Sequence, residues 1–161
     1  MNYIHYGSST FEPLRWNPIR NAPIELSFEK PTGGLWASPV GAKLGWETWC
    51  RSQEFCLNEL SECFEFELSS DARVLKITSE EVVQSLPRIL NDPTVNELMQ
   101  RYSRLSVRAP KYPIDYELLA KDYDVIEFLA SGFSLPNKVL SGWDCDCILV
   151  MNKDVIVEQT R

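Results

Sequence analysis

Phe64-Glu65-Phe66-Glu67-Leu68-Ser69-Ser70-Asp71-Ala72-Arg73-Val74-Leu75-Lys76-Ile77-Thr78-Ser79-Glu80-Glu81 reads as strand, turn, strand and helix start. From Phe64 to Leu68 apolar and charged side chains alternate, the period of two of a half-buried strand. Arg73 to Ile77 is a second strand. Thr78 as N-cap and Glu81 as its returning partner form a capping box, which predicts a helix through about Leu90. Two strands in succession before a helix break strict βαβ alternation, so the pattern favours an α+β domain over a doubly wound parallel sheet.

Toward the N-terminus, Tyr3 to Tyr6 reads as a short strand, and Phe11 to Ala22 as an irregular stretch punctuated by Pro13 and Pro18 and followed by Pro23. Ile24 to Phe28 is a candidate second strand. Lys30-Pro31-Thr32-Gly33-Gly34 is a turn, and Leu35 to Ser38 a strand stopped by Pro39. Trp46, Trp49, Cys50, Cys56, Leu57 and Leu60 suggest one amphipathic helix from Gly45 to Leu60, with a phase slip near Gln53. Toward the C-terminus, Pro93 to Arg104 and Ile114 to Lys121 read as helices and Asp124 to Ala130 as a strand. Cys147 to Met151 and Val155 to Val157, separated by Asn152-Lys153-Asp154, carry a hairpin signal. The absence of an internal repeat or a Gly/Ser linker predicts a single domain over 1–161.

The 161 residues are 44% apolar and 11% aromatic, enough for one core. The longest apolar run, Cys147 to Met151, is far short of the roughly 18 residues a membrane span needs. The first residues carry neither a basic nor an apolar signal region, so a soluble, cytoplasmic protein is expected, in its own cell or a host cell. Five cysteines without a secretion signal point to reduced thiols, and a single histidine with no second Cys pair argues against zinc. The formal charge of −7, with no basic stripe beyond Arg101, Arg104 and Arg108, disfavours nucleic acid as a direct partner.

Three clusters could carry chemistry. His5, the only histidine, lies on a strand beside Gly7 and Ser8-Ser9-Thr10. Gly33-Gly34-Leu35-Trp36-Ala37-Ser38 sets two glycines before an aromatic residue; such glycines let a flat ligand approach the backbone, and the ring can wall a slot for a heterocycle. In Asp144-Cys145-Asp146-Cys147, an extended backbone would put both aspartates on one face, toward a cleft or solvent, and both cysteines toward the core. Each cluster also has an ordinary reading: a surface histidine, a turn with a core tryptophan, and solvated aspartates at a strand entrance.

In order and spacing the three clusters resemble the diphtheria-toxin-like ADP-ribosyltransferase superfamily, in the His-Tyr-Glu branch that includes the poly(ADP-ribose) polymerases. Ile4-His5-Tyr6-Gly7-Ser8 is similar to the family's His-Gly-[Ser/Thr] strand with Tyr6 inserted. Gly34-Leu35-Trp36-Ala37-Ser38 is similar to its second motif with Trp36 at the tyrosine position, Gly45-Trp46-Glu47-Thr48-Trp49-Cys50 to its following aromatic helix, and Asp146-Cys147-Ile148-Leu149-Val150 to its late carboxylate strand with aspartate for glutamate. The motifs cover about twenty residues. The resemblance implies a compact split-sheet core with three to four helices, NAD as co-substrate and a protein acceptor. It implies His5, Trp36 and Asp146 as catalytic residues, and His5, Gly7, Ser8, Gly34, Trp36, Ser38 and Trp49 around NAD. Trp36 and Trp49 would stack on nicotinamide, Asp146 would act at the ribose 2′-hydroxyl, and Asp144 would orient the acceptor, which the loop from Ser131 to Trp143 would recognise.

Three other readings remain open. Water in place of the acceptor would make the protein an NAD glycohydrolase. An acidic, non-enzymatic inhibitor or adaptor, of the kind a phage could direct at a basic nucleic-acid-binding host defence protein, would depend on surface acids such as Glu65, Glu67, Glu80 and Glu81. A degenerate transferase fold would bind without turnover.

Overall fold

A computed structural model describes residues 1–22, 30–105, 111–135 and 139–158. The described residues form an α+β protein with a mixed seven-stranded sheet and four helices. The strands are β1 (Asn2–Tyr6), β2 (Leu35–Pro39), β3 (Cys63–Leu68), β4 (Val74–Ile77), β5 (Val125–Phe128), β6 (Cys147–Val150) and β7 (Ile156–Glu158), in the order β4-β5-β6-β2-β1-β3-β7. Only the β4–β5 pair is parallel. The helices are α1 (Trp46–Gln53), α2 (Glu80–Ser85), α3 (Pro93–Leu105) and α4 (Tyr116–Asp122).

β6 is buried along its whole length because both of its faces are covered. Cys147 and Leu149 join the core under the helices, with Val83 of α2 and Leu86 just after it, Tyr116 and Leu119 of α4, and Ile126 and Phe128 of β5. Ile148 and Val150 join a second core with Tyr3, Phe64 and Phe66 of β1 and β3. Those partners lie two or three strands away in the sheet, so the sheet must curl for its two halves to touch. The Tyr3 hydroxyl, 3.5 Å from Glu127 Oε1 of β5, bridges the same fold-over and is pushed up to about 12, chiefly by burial.

The same curl explains why β6 and β7 are not a hairpin. Both edges of β6 are taken by β2 and β5, and β7 instead extends the far edge beside β3. In a flat sheet that edge would lie about 19 Å away, four strand spacings. The short link through the 3-10 turn Lys153–Val155 reaches it because the two halves face each other.

Other elements depart locally from expectation. The helix predicted from Gly45 to Leu60 ends at Gln53, where Glu54 and Cys56 take left-handed φ of 52° and 47°; a separate 3-10 turn, Leu57–Ser61, follows. The cap of α2 is Ser79, not Thr78: its hydroxyl accepts from the Val82 amide at 3.4 Å, and the helix ends at Ser85, with Leu86 as an extended C-cap, rather than near Leu90. Pro87 forbids the preceding residue a helical backbone. Asp92 Oδ1 caps α3 through the Thr94 and Val95 amides, and Asp115 caps α4 through Leu118. The candidate strand Ile24 to Phe28 lies outside the described residues.

Candidate functional site

The order β6-β2-β1 puts three strands that are distant in sequence side by side, and α1 is bonded to two of them. Ser38, buried in β2, accepts from the Trp46 amide at 2.9 Å and so satisfies a free donor at the start of α1, whose own N-cap is Gly45. Tyr6, the residue inserted after His5, donates to Glu47 Oε2 at 3.0 Å, and Glu47 in turn holds Arg51 at 2.9 Å. Burial and the Glu47 bond push the Tyr6 phenol up to about 12. β1 and β2 thus each anchor the helix that carries the aromatic wall.

A cavity of about 520 Å³ lies between these elements. Its lining brings together His5 of β1, Trp36 and Ser38 of β2, Trp46 and Trp49 of α1, Phe55 and Glu59 of the next turn, and Trp143, Asp144, Cys145 and Cys147 before and on β6, with Lys30 on the wall. Trp46 and Trp49 stack at 5.2 Å between centroids, and Phe55 meets both edge-on. Trp36 and fully buried Trp143 meet in a T-shaped arrangement at 4.6 Å between centroids, while Lys30 Nζ sits 4.9 Å from the Trp36 ring centroid, within cation–π range.

His5 has a defined tautomer in this setting. Its Nδ1 lies 2.7 Å from the Trp36 carbonyl oxygen, which can only accept, so Nδ1 carries the proton and Nε2 of the neutral ring is an acceptor. Burial holds the imidazole below its ordinary pKa, outweighing the opposing effects of the Trp36 carbonyl and Glu59. The ring also rests 5.2 Å from Phe64.

Not every residue singled out in the sequence reaches the cavity. Asp146 is not among its lining residues: the backbone bends at positions 145–146 instead of continuing the strand, and the Asp146 carboxylate, 5% exposed, accepts from the Ser131 amide at 2.8 Å. Its own amide donates to the Leu44 carbonyl at 2.8 Å, so both ends of the residue brace neighbouring loops. Cys145 and Cys147, expected on the core side, are buried but border the cavity. Their thiols share a hydrogen bond that lowers the pKa of Cys145 and, with burial, raises that of Cys147.

Gly34 likewise does not line the cavity. A Cβ there would meet the Val150 carbonyl oxygen at 2.7 Å and Ile19 at 2.8 Å, so the glycine at φ +68° admits the chain itself, not a ligand. Gly7 and Ser8 lie in the turn after β1: the Gly7 amide donates to the Glu62 carbonyl, and the Ser8 hydroxyl to that of Thr10. The loop from Ser131 to Trp143 enters the described cavity lining through Gly142 and Trp143.

The sequence reading left Lys30, Phe55, Glu59 and Trp143 without a role in the site, and placed Trp46 mainly as a residue of its helix. A signal existed for Trp46, which is three residues before Trp49 and therefore shares its helix face. Glu59 and Phe55 had none, because the left-handed turn that swings them toward His5 has no pattern of its own. Among the described residues, no group of His, Cys, Asp and Glu could hold a metal, and no helix is long and apolar enough to cross a membrane. No protein-family model, curated protein or solved structure matches the chain.

Proposed function

We propose that the cavity binds NAD and that the protein is an ADP-ribosyltransferase, releasing nicotinamide and passing ADP-ribose to a protein acceptor. One observation carries this reading: His5, Trp36, Trp49 and an acidic side chain, drawn from four separated stretches, meet in one aromatic cavity. Its volume suits a nucleoside-sized group.

The proposal gives the acidic role to Asp144, which lines the cavity, and not to Asp146, which braces loops. Neutral His5 offers Nε2 to a ribose hydroxyl. The indoles and Phe55 exclude water around the leaving ring. Asp144 supplies fixed negative charge beside the ribose carbon as positive charge develops there, a stabilisation that needs no rearrangement of the site.

The test is nicotinamide release from NAD by the purified protein, alone and with cell lysate. Loss of one well-placed charge or hydrogen bond lowers such rates about 100-fold or more. That drop is expected for His5→Ala and Asp144→Asn, with Asp146→Asn close to wild type. Release that rises with lysate, with ADP-ribose appearing on a lysate protein, identifies transfer. Release indifferent to lysate, with free ADP-ribose as the product, identifies an NAD glycohydrolase. Neither binding nor turnover in any condition would overturn the enzyme reading in favour of an acidic binding protein.

A further inference from the structure

Lys30 is the sole lysine or arginine among the described lining residues of the cavity, and its ammonium lies over the face of Trp36, 4.9 Å from the centroid. Among the described residues it forms no ion pair, although Glu59 and Asp144 line the same cavity. An ammonium resting on an indole, with only an electrostatic pull on the neighbouring Cys145 and Cys147 thiols besides among the described residues, marks that face as a cation site. The indole also packs on the core, edge to face with fully buried Trp143, so the Lys30 side is the one that can change.

A pyridinium ring is itself a cation and would compete with the ammonium for the same face. Building on the proposed NAD site, we infer that Lys30 is an exchange residue: it occupies Trp36 in the empty cavity and moves to a phosphate of the ligand when a pyridinium ring enters. The substrate class is then a phosphorylated pyridinium nucleotide, with phosphate required for tight binding. Lysine suits this role, because its flexible four-carbon stem carries a compact charge that can serve either partner. The exchange leaves one cation on Trp36 and adds an ion pair, whereas an unphosphorylated pyridinium nucleoside would displace the ammonium and bring no phosphate to receive it.

Calorimetric titration of the full chain with nicotinamide riboside, nicotinamide mononucleotide, NAD and ADP-ribose tests this, using wild type, Lys30→Met and Lys30→Arg. A charge-assisted bond to phosphate is worth about tenfold or more in affinity. Lys30→Met is therefore expected to weaken the mononucleotide and NAD by at least that factor, and to leave the riboside unchanged or tighter because the Trp36 face is vacated. Lys30→Arg is expected to restore much of the phosphate preference. Equal weakening of riboside and mononucleotide would reveal a merely structural lysine and overturn the inference. Riboside and mononucleotide binding alike, both indifferent to Lys30, would overturn it too and leave the NAD reading standing. Lys30-dependent binding of ADP-ribose with no binding of any pyridinium ligand would overturn both the exchange and the NAD reading, as would no binding of any of the four.

Discussion

Asp144 and Asp146 are two residues apart and do different work. Asp146 is almost wholly buried and accepts a hydrogen bond from the Ser131 amide, while Asp144 is half-buried at the cavity. Removing an acceptor and leaving a partly buried amide without a partner costs about 1–3 kcal/mol. Asp146→Ala is therefore expected to lower the unfolding free energy by that amount, with a correspondingly lower urea midpoint, and Asp144→Asn to leave the midpoint within error, measured by circular dichroism. Equal midpoints for the two variants would show that the Ser131 bond does not hold the loop. The period-two reading of Asp144-Cys145-Asp146-Cys147 finds the acidic run but puts both aspartates on one face by assuming an extended backbone; their separate roles are implied only by the resemblance. His5, Trp36, Ser38 and Trp49 were legible as candidates because each lies on a short strand or helix. The bend at 145–146 comes from contacts with Leu44 and Ser131, remote in sequence, so no local pattern announces it.

At the scale of the element, the break after α1 matters most, because it carries Phe55 and Glu59 into the cavity. Glu54 at the C-cap has φ 52° and ψ 38°, a left-handed conformation that crowds any Cβ and that glycine adopts without strain. The Glu54 side chain is exposed, so its replacement disturbs little packing. Glu54→Gly is expected to raise stability by up to about 1 kcal/mol, and Glu54→Val to lower it, with thermal melts as the readout. A destabilising Glu54→Gly would mean that the turn is held by the glutamate side chain. The phase slip near Gln53 was the visible trace of this break: the apolar spacing shifted where the helix stops, though only the backbone shows that it stops. The Thr78-Ser79 ambiguity in α2 has a similar cause, two adjacent hydroxyls either of which fits the N-cap pattern.

For the whole molecule, the α+β class and most strands followed from local patterning, but the strand order did not. Pairing β7 with β3 rather than β6 depends on the curl that lets Ile148 and Val150 pack on Phe64 and Phe66, a contact between residues about half the chain apart. The crossover toward β7 is tied down where the chain leaves β6. Asp124 accepts from the Arg73 side chain at 3.0 Å and from its amide at 2.9 Å, and also from Asn152 Nδ2 at 3.0 Å, while its carbonyl accepts from the Met151 amide. The start of β4, the start of β5 and the exit of β6 therefore meet on one carboxylate. Its hydrogen bond to Arg73 is the largest influence on its pKa, which lies far below the ordinary carboxylate range despite burial. A carboxyl whose pKa is depressed on folding stabilises the protein above its unfolded value of about 3.9, and that stability drains away as pH falls toward the folded value. Urea midpoints measured from neutral pH down to pH 2 should accordingly fall steeply below about pH 4 in the wild type. Asp124→Asn keeps an acceptor but cannot ionise, so it is expected to start lower at neutral pH and to lose less on acidification. An acid slope as steep in Asp124→Asn as in the wild type would place the acid-sensitive link elsewhere than at the meeting point of β4, β5 and β6.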